Sequence, residues 1–130
     1  MKTILDHAET LCAKGVVLRG PVPKTQLLEE MREARVMPYR GDVGETFCLA
    51  LGEAQAMGVP CVVQEVGCVA ERIVDGHTGF VANQDDVFAK RTAEILNDDD
   101  LWLKQHLASL EKQRGWGWGQ AAEAFERLIP

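Results

Sequence analysis

The sequence is short of positive charge, with fourteen lysines and arginines against twenty aspartates and glutamates and a net charge of −6. That deficit argues against non-specific binding to nucleic acid or to an anionic membrane surface, though a local basic spot for phosphate stays open. No apolar run is long enough to span a bilayer. No leader peptide is expected, because Asp6, His7 and Glu9 interrupt any apolar stretch near the start. The four cysteines, Cys12, Cys48, Cys61 and Cys68, make no C-x-x-C and no paired spacing with His7, His77 or His106. A zinc site is therefore not expected. Three of the four cysteines fall in apolar stretches and read as small buried hydrophobes, reduced in a cytoplasmic protein.

What is present fits one soluble globular domain: 130 residues, 46% hydrophobic and 26% charged. The stretch with the most information is Gly44 to Gly58, GETFCLALGEAQAMG. It is almost wholly apolar or small, and it ends in Gly58-Val59-Pro60, a strong helix stop. A buried helix from about Phe47 to Met57 is predicted. Glu53 lies in its middle, and a buried carboxylate needs a partner. Glu45 precedes it, at the positive end of the helix dipole, beside N–H groups with no intrahelical acceptor. Such an end suits phosphate. Glu53 lies eight residues beyond Glu45, about 12 Å along a helix axis. A nucleotide sugar fits that layout. The alternative is that Glu45 only complements the dipole and that Glu53 reaches the surface.

Around this stretch, helical and strand patterns alternate. Thr3 to Lys14 is a predicted helix ended by Gly15, and Val16-Val17-Leu18 is a predicted buried strand. Lys24 to Arg35 should form a helix with Leu27, Leu28, Met31 and Ala34 inward, followed by a short strand at Val36 to Pro38. Tyr39 to Gly44 is a loop that delivers Glu45. Cys61 to Val63 and Phe80-Val81 are further strands, with a short helix opened by Gly67 between them. A helix over Asp85 to Leu96, a second one capped by Asp98-Asp99-Asp100, and an amphipathic helix over Gln120 to Ile129 complete the chain. This alternation implies α/β architecture: an open, mostly parallel sheet, partly Rossmann-like, with helices on both faces. Ligands bind such sheets beyond the carboxyl ends of the strands, where Glu45 falls.

Glu45-Thr46-Phe47-Cys48-Leu49-Ala50-Leu51-Gly52-Glu53, followed by A-Q-A-M-G-V-P, resembles the E-x7-E motif of family-4 retaining glycosyltransferases, which have the GT-B fold. The likeness continues through Gly67, Glu71 to Gly76 and Thr78 to Val81. It covers the chain from about Val16 to the tryptophans near the end. By this resemblance the chain is a single domain over residues 1–130, the C-terminal, donor-binding half of such an enzyme in truncated form, with C-terminal helices over about 99–129.

The resemblance implies a role for each matched residue. Glu45 would be the catalytic-site carboxylate that contacts hydroxyls of the donor sugar, and Glu53 would hold the nucleotide ribose. The backbone N–H groups of Thr46, Phe47, Cys48, Leu49 and Ala50 would meet sugar hydroxyls and diphosphate oxygens. Gly20, Pro21 and Val22 correspond to the base-binding turn. Fixed donors would stabilise charge on the leaving diphosphate, and no metal or other cofactor is implied. Cys48 stands where many members have glycine, and the loop from Pro38 to Glu45 is longer than the family's, so Tyr39 and Arg40 have no fixed counterpart.

For Arg40, Glu71, His77, Trp116 and Trp118 the residues themselves allow two readings each. Arg40 is a phosphate ligand or a solvated loop residue, and Glu71 a ligand contact or a helix-start carboxylate. His77 reads as a turn residue. The tryptophans are a sugar platform or, more commonly, packing anchors. The acceptor domain and the opening strand and helix of the donor domain, which supply an Arg and a Lys to the diphosphate, have no counterpart in the sequence. Two functions follow as alternatives. One is the nucleotide-sugar-binding part of a glycosyltransferase, inactive without its other domain. The other is a non-catalytic remnant that acts as an interaction module. The apolar face of the last helix and an open sheet edge lead to the expectation of a homodimer.

Overall fold

The computed structural model describes residues 2–115 and 117–129. Its centre is a parallel sheet of three short strands, β1 (Met37–Tyr39), β2 (Cys61–Val63) and β3 (Gly79–Val81), in the order β1-β2-β3. Met37 pairs with Cys61 and Cys61 with Gly79, so β2 is hydrogen-bonded on both sides. The described residues also form six α-helices: α1 (Lys2–Thr10), α2 (Lys24–Glu33), α3 (Leu49–Ala56), α4 (Asp85–Asn97), α5 (Asp99–Arg114) and α6 (Trp118–Glu126). Single 3-10 turns at Cys12–Lys14 and Val69–Arg72 complete the fold. The expected partial Rossmann-like α/β fold is what the chain adopts.

Side chains alternate across β2, and the two faces meet different helices. Cys61 and Val63 pack with Leu51 and Ala54 of α3 and with Val59, Val69 and Ile73. Val62 faces the other way, against Ile95 of α4, with Leu101 and Trp102 of α5 beside it. All three β2 residues are buried, which is why the run reads as continuously apolar. α5 starts where expected, because the Asp98 carboxylate accepts the N–H of Leu101 at 2.9 Å. α5 then packs on both α3 and α4. His106 of α5 is held by the Gly58 carbonyl, with Nδ1 2.7 Å from the oxygen. A Cβ at Gly58 would sit 2.3 Å from the His106 ring, and its φ is +76°, so only glycine fits this stop.

Several expectations need correction. α2 buries none of its residues and Leu27 is exposed, and of the four cysteines only Cys48 and Cys61 are buried. Val16, Val17 and Leu18 form no strand, and Val17 is 76% exposed. An apolar run becomes a strand only beside an edge it can pair with, and this one meets none among the described residues. The helix predicted from Phe47 begins at Leu49, because Cys48 has left-handed dihedrals, φ 51° and ψ 69°. Tryptophan as a packing anchor fails at Trp118, which is 93% exposed. Trp116 lies outside the described residues. Neither α1 nor α6 covers the core: Ile4 and Leu5 of α1 are exposed, as are Phe125, Leu128 and Ile129 in and after α6.

The inward and outward faces of α3 predict unequal stability effects. Leu51 is fully buried in the α3–β2 layer, so Leu51→Ala should destabilise by about 2–5 kcal/mol. Leu49 is 66% exposed, and Leu49→Ala should change stability by no more than about 0.5 kcal/mol. Denaturant melts of both variants check this, and similar losses would contradict the assignment of faces.

Candidate functional site

The loop after β1 is held in place by close backbone packing. Gly67 has φ +61°, and a Cβ there would lie 2.4 Å from the Asp42 carbonyl oxygen and 3.0 Å from that of Glu45. The bare backbone of the 66–68 turn thus presses on the loop, and Cys68 N–H donates to the Glu45 carbonyl at 3.2 Å. This contact fixes the Glu45 backbone. Its carboxylate is fixed as well: Oε2 accepts the Tyr39 hydroxyl at 2.9 Å and Oε1 the Cys48 N–H at 3.1 Å. Glu45 therefore ties the end of β1 to the N-cap of α3. It lies outside the first helical turn, and the N–H it accepts is that of Cys48 just before the helix.

Cys48, the residue between that cap and α3, is the single non-glycine residue with positive φ among the described residues. This explains glycine as the common residue in the resembling motif. A side chain in left-handed conformation costs about 1–2 kcal/mol. Here the thiol is buried in the core beside Leu51 and Cys61, which offsets part of that cost. Burial pushes the Cys48 thiol above its ordinary pKa, and the same cause takes Cys61 up to about 12. Both thiols are enclosed and held in the neutral form, which is the less nucleophilic one.

Of residues 46–50, Cys48 is buried, and Phe47 and Leu49 share one groove with Glu53. Thr46, Phe47 and Leu49 are exposed, and Ala50 is half-buried. Leu49, Gly52, Glu53 and Ala56 share the outward stripe of α3 and line a groove of about 250 Å3 with Phe47, Arg72 and Gln113. Glu53 is on this stripe, and its partner is Lys24, whose Nζ is 2.5 Å from Oε1. Lys24 opens α2 two residues after Val22. Gly20 and Pro21 are exposed and Val22 is half-buried, so the expected base-binding turn leads directly to the residue that touches Glu53. The fully buried polar residue of α3 is Gln55. Its amide donates to the Arg72 carbonyl at 3.1 Å and to Thr78 Oγ1 at 3.2 Å, and its oxygen accepts from Gln113 at 2.8 Å.

A larger groove, about 710 Å3, adjoins the first across Phe47 and Arg72. Thr46, Cys68, Glu71, Glu111, Lys112 and Gly115 are on its walls. Arg72 Nε donates to the Phe47 carbonyl at 2.8 Å, and its guanidinium lies over the Phe47 ring at 3.8 Å. Lys112 donates to the Arg72 carbonyl. Burial, then the charge of Arg72, holds the Lys112 pKa below its usual value. Arg40 is turned away from these grooves, bonded to Gln64 Oε1 at 3.0 Å and to Asp85 at 2.9 Å. His77 is an exposed turn residue, as expected. Sequence reasoning missed Lys24, Gln55, Arg72, Lys112 and Gln113. Gln55 carried a usable signal, a polar residue in the same apolar run as Glu53.

Comparison with known proteins adds two findings. The family model described as glycosyl transferases group 1 matches residues 2–98. Curated relatives include D-inositol 3-phosphate glycosyltransferases. That of Corynebacterium diphtheriae is 32% identical over 132 residues, covering 97% of this chain and 31% of the relative. That of Streptomyces avermitilis is 32% identical over 114 residues, covering 86% and 24%. That of Kribbella flavida is 33% identical over 123 residues, covering 90% and 29%. The chain thus spans less than a third of the length of each of these relatives.

The Tyr39–Glu45 bond predicts a titration. The Glu45 carboxylate, then burial, pushes the Tyr39 phenol up to about 12 from 10. The folded chain keeps that proton to higher pH than the unfolded chain. The stability this provides is fully present below about pH 10 and is lost as pH rises toward about 12. Tyr39 is the only tyrosine, so phenolate absorbance reports it alone. Glu45→Gln should bring the midpoint down toward 10, and an unchanged midpoint would remove the bond from this account.

Proposed function

The chain belongs to the group 1 glycosyl transferases, and on that footing we propose that it binds the nucleotide-sugar donor of a retaining sugar transfer. The observation that carries this reading is the outward stripe of α3. It sets Glu53 along one groove with the exposed residues Phe47 and Leu49, beyond the carboxyl end of β1. In this reading Glu45 meets hydroxyls of the sugar, as the catalytic-site carboxylate. The N–H groups of Thr46, Phe47, Leu49 and Ala50 face the sugar and the diphosphate, that of Cys48 being taken by Glu45, while Glu53 takes the ribose hydroxyls and Gly20 to Val22 take the base. Glu53 would share its carboxylate between Lys24 and the ribose. The reaction draws its charge stabilisation from N–H groups and side-chain cations, without a metal or other cofactor. The acceptor site belongs to protein outside this chain, and transfer requires it. The similar D-inositol 3-phosphate glycosyltransferases suggest, for the whole protein, a phosphorylated polyol as acceptor.

Glu53→Ala should weaken binding of a nucleoside diphosphate by about 1.5–3 kcal/mol for the charged hydrogen bond lost. Calorimetric titration with UDP, GDP and ADP measures it. Equal binding by wild type and variant would remove the ribose assignment.

A second reading, an oligomerising module, is favoured by the exposed apolar surface. Ile4, Leu5, Val17, Phe125, Leu128 and Ile129 are all exposed, and α6 buries none of its residues. The last segment therefore does not seal its own domain. One edge of β1 is likewise unpaired among the described residues. A two-fold homodimer in which each copy covers the other's apolar helices answers both. Light scattering behind a sizing column should give twice the chain mass at micromolar concentration. A monomer mass there would eliminate this reading.

A further inference from the structure

We propose that Arg72 is a positioning residue for Glu45, and that it acts by gripping the Phe47–Cys48 peptide from the side opposite to the Glu45 carboxylate. Only the use that Glu45 makes of a sugar rests on the reading above.

One peptide unit carries the link. Arg72 Nε donates to the Phe47 carbonyl at 2.8 Å, and the Cys48 N–H donates to Glu45 Oε1 at 3.1 Å. The carbonyl and N–H of a trans peptide point in opposite directions, so the two side chains hold one rigid plane from opposite sides. No ion pair joins Arg72 to Glu45 among the described residues, which leaves the peptide as their connection. The held plane leads into Cys48, whose left-handed dihedrals set the entry to α3. Arg72 is itself anchored at its backbone. Its carbonyl accepts from the Gln55 amide at 3.1 Å and from Lys112, and the enclosed Gln55 accepts from Gln113 at 2.8 Å. α3 and α5 thus fix the base from which the guanidinium reaches Phe47.

For packing alone, arginine is a poor residue at this place. Its Nη2 is enclosed without a hydrogen-bond partner, which is unfavourable. An apolar side chain of similar length would cover the Phe47 ring with nothing left unpaired. What it would lack is the Nε–H, held in line with the Phe47 carbonyl by the guanidinium lying 3.8 Å over the ring of the same residue. The carboxylate is the far end of these contacts. Oε1 takes the gripped N–H and Oε2 takes the Tyr39 hydroxyl at 2.9 Å, so a fixed peptide leaves Glu45 one arrangement. Were the peptide to turn, Oε1 would lose its donor and the hold on Tyr39 would loosen with it. The Tyr39 phenol is raised by Glu45, then by burial, then by Cys48, and Arg72 is not among the groups that act on it. A change in that phenol on removal of Arg72 therefore has to pass through Glu45.

The test is alkaline titration of Tyr39 by phenolate absorbance in the full chain, with circular dichroism followed across the same range. Arg72→Met keeps the stem and puts a methyl group where the Nε–H stood. It should lower the midpoint from about 12 toward 10 while the helical signal holds. Loss of a cation by itself would move a phenol up, so the sign separates the two causes. Adding Arg72→Met to Glu45→Gln should lower the midpoint no further than Glu45→Gln alone. Should Arg72→Met not fold, or unfold across the transition, Glu45→Ala decides. With the peptide freed, the Arg72 Nε–H should exchange with solvent at least about tenfold faster by NMR than in the wild type. A midpoint that stays near 12 in Arg72→Met, additive shifts in the double variant, or unchanged Nε–H exchange in Glu45→Ala would overturn the positioning. Neither measurement uses a nucleotide. If UDP, GDP and ADP all fail to bind while the midpoint falls as stated, the donor reading goes and the role of Arg72 stands. If they bind and the midpoint does not move, the reverse holds.

Discussion

A strand that is apolar at every position has to be covered on both sides, and Cys61-Val62-Val63 sets that condition for the rest of the chain. α3 covers one face, and α4 with α5 covers the other. Because parallel neighbours need crossovers, each strand end leads outward into a loop or turn at the same end of the sheet. The loop after β1 and the turn after β2 are therefore side by side, and their contact at Gly67 fixes Glu45. The site is a by-product of how β2 is buried. The grooves form where α3, having covered β2 with its inner stripe, shows its outer stripe to solvent.

Much of this was legible. Periodicity located every helix, and β1, β2 and β3 were found to within a residue or two, because each is set by local apolar patterning and by glycine or proline stops. The Asp98 cap and the Gly58 stop were read from single residues whose roles are local. The failures were those where the deciding partner is distant in sequence. Val16 to Leu18 has strand composition but no edge to join, and composition carries no information about edges. The exit from α3 was clear while its entry was misplaced, because the left-handed turn at Cys48 depends on Glu45 and on burial of the thiol.

The candidate site divides in the same way. Glu45 and Glu53 were visible through their spacing in an apolar run. Glu53 is not the buried polar residue of that run, since it reaches the surface on the outer stripe; Gln55 is, and it is completely enclosed. Three turns of chain meet at that one amide: Arg72 through its carbonyl, Thr78 through its hydroxyl, and Gln113 of α5. Arg72 and Lys112 are forty positions apart in the sequence, and no local pattern links them. Their proximity follows from α5 lying across α3, which only packing determines. A net charge of −6 argued against diffuse binding to polyanions, and a sum over the chain says nothing about where its cations gather.

Position 48 shows what such a compromise means for variation. Two demands meet there that no common residue satisfies together. The backbone asks for glycine, and the core beside Leu51 asks for a small apolar volume. Alanine meets neither fully, being strained like cysteine and smaller than the thiol. Valine, isoleucine and threonine are excluded by branching at Cβ in a left-handed residue. Asparagine accepts the dihedrals but brings an amide into an apolar layer. The tolerated alphabet is thus short, and glycine and cysteine fail in opposite directions, the first leaving volume unfilled and the second straining the backbone. A lineage drifting through this position has almost nowhere to go, so its freedom to vary must lie in the residues around it rather than at the turn itself.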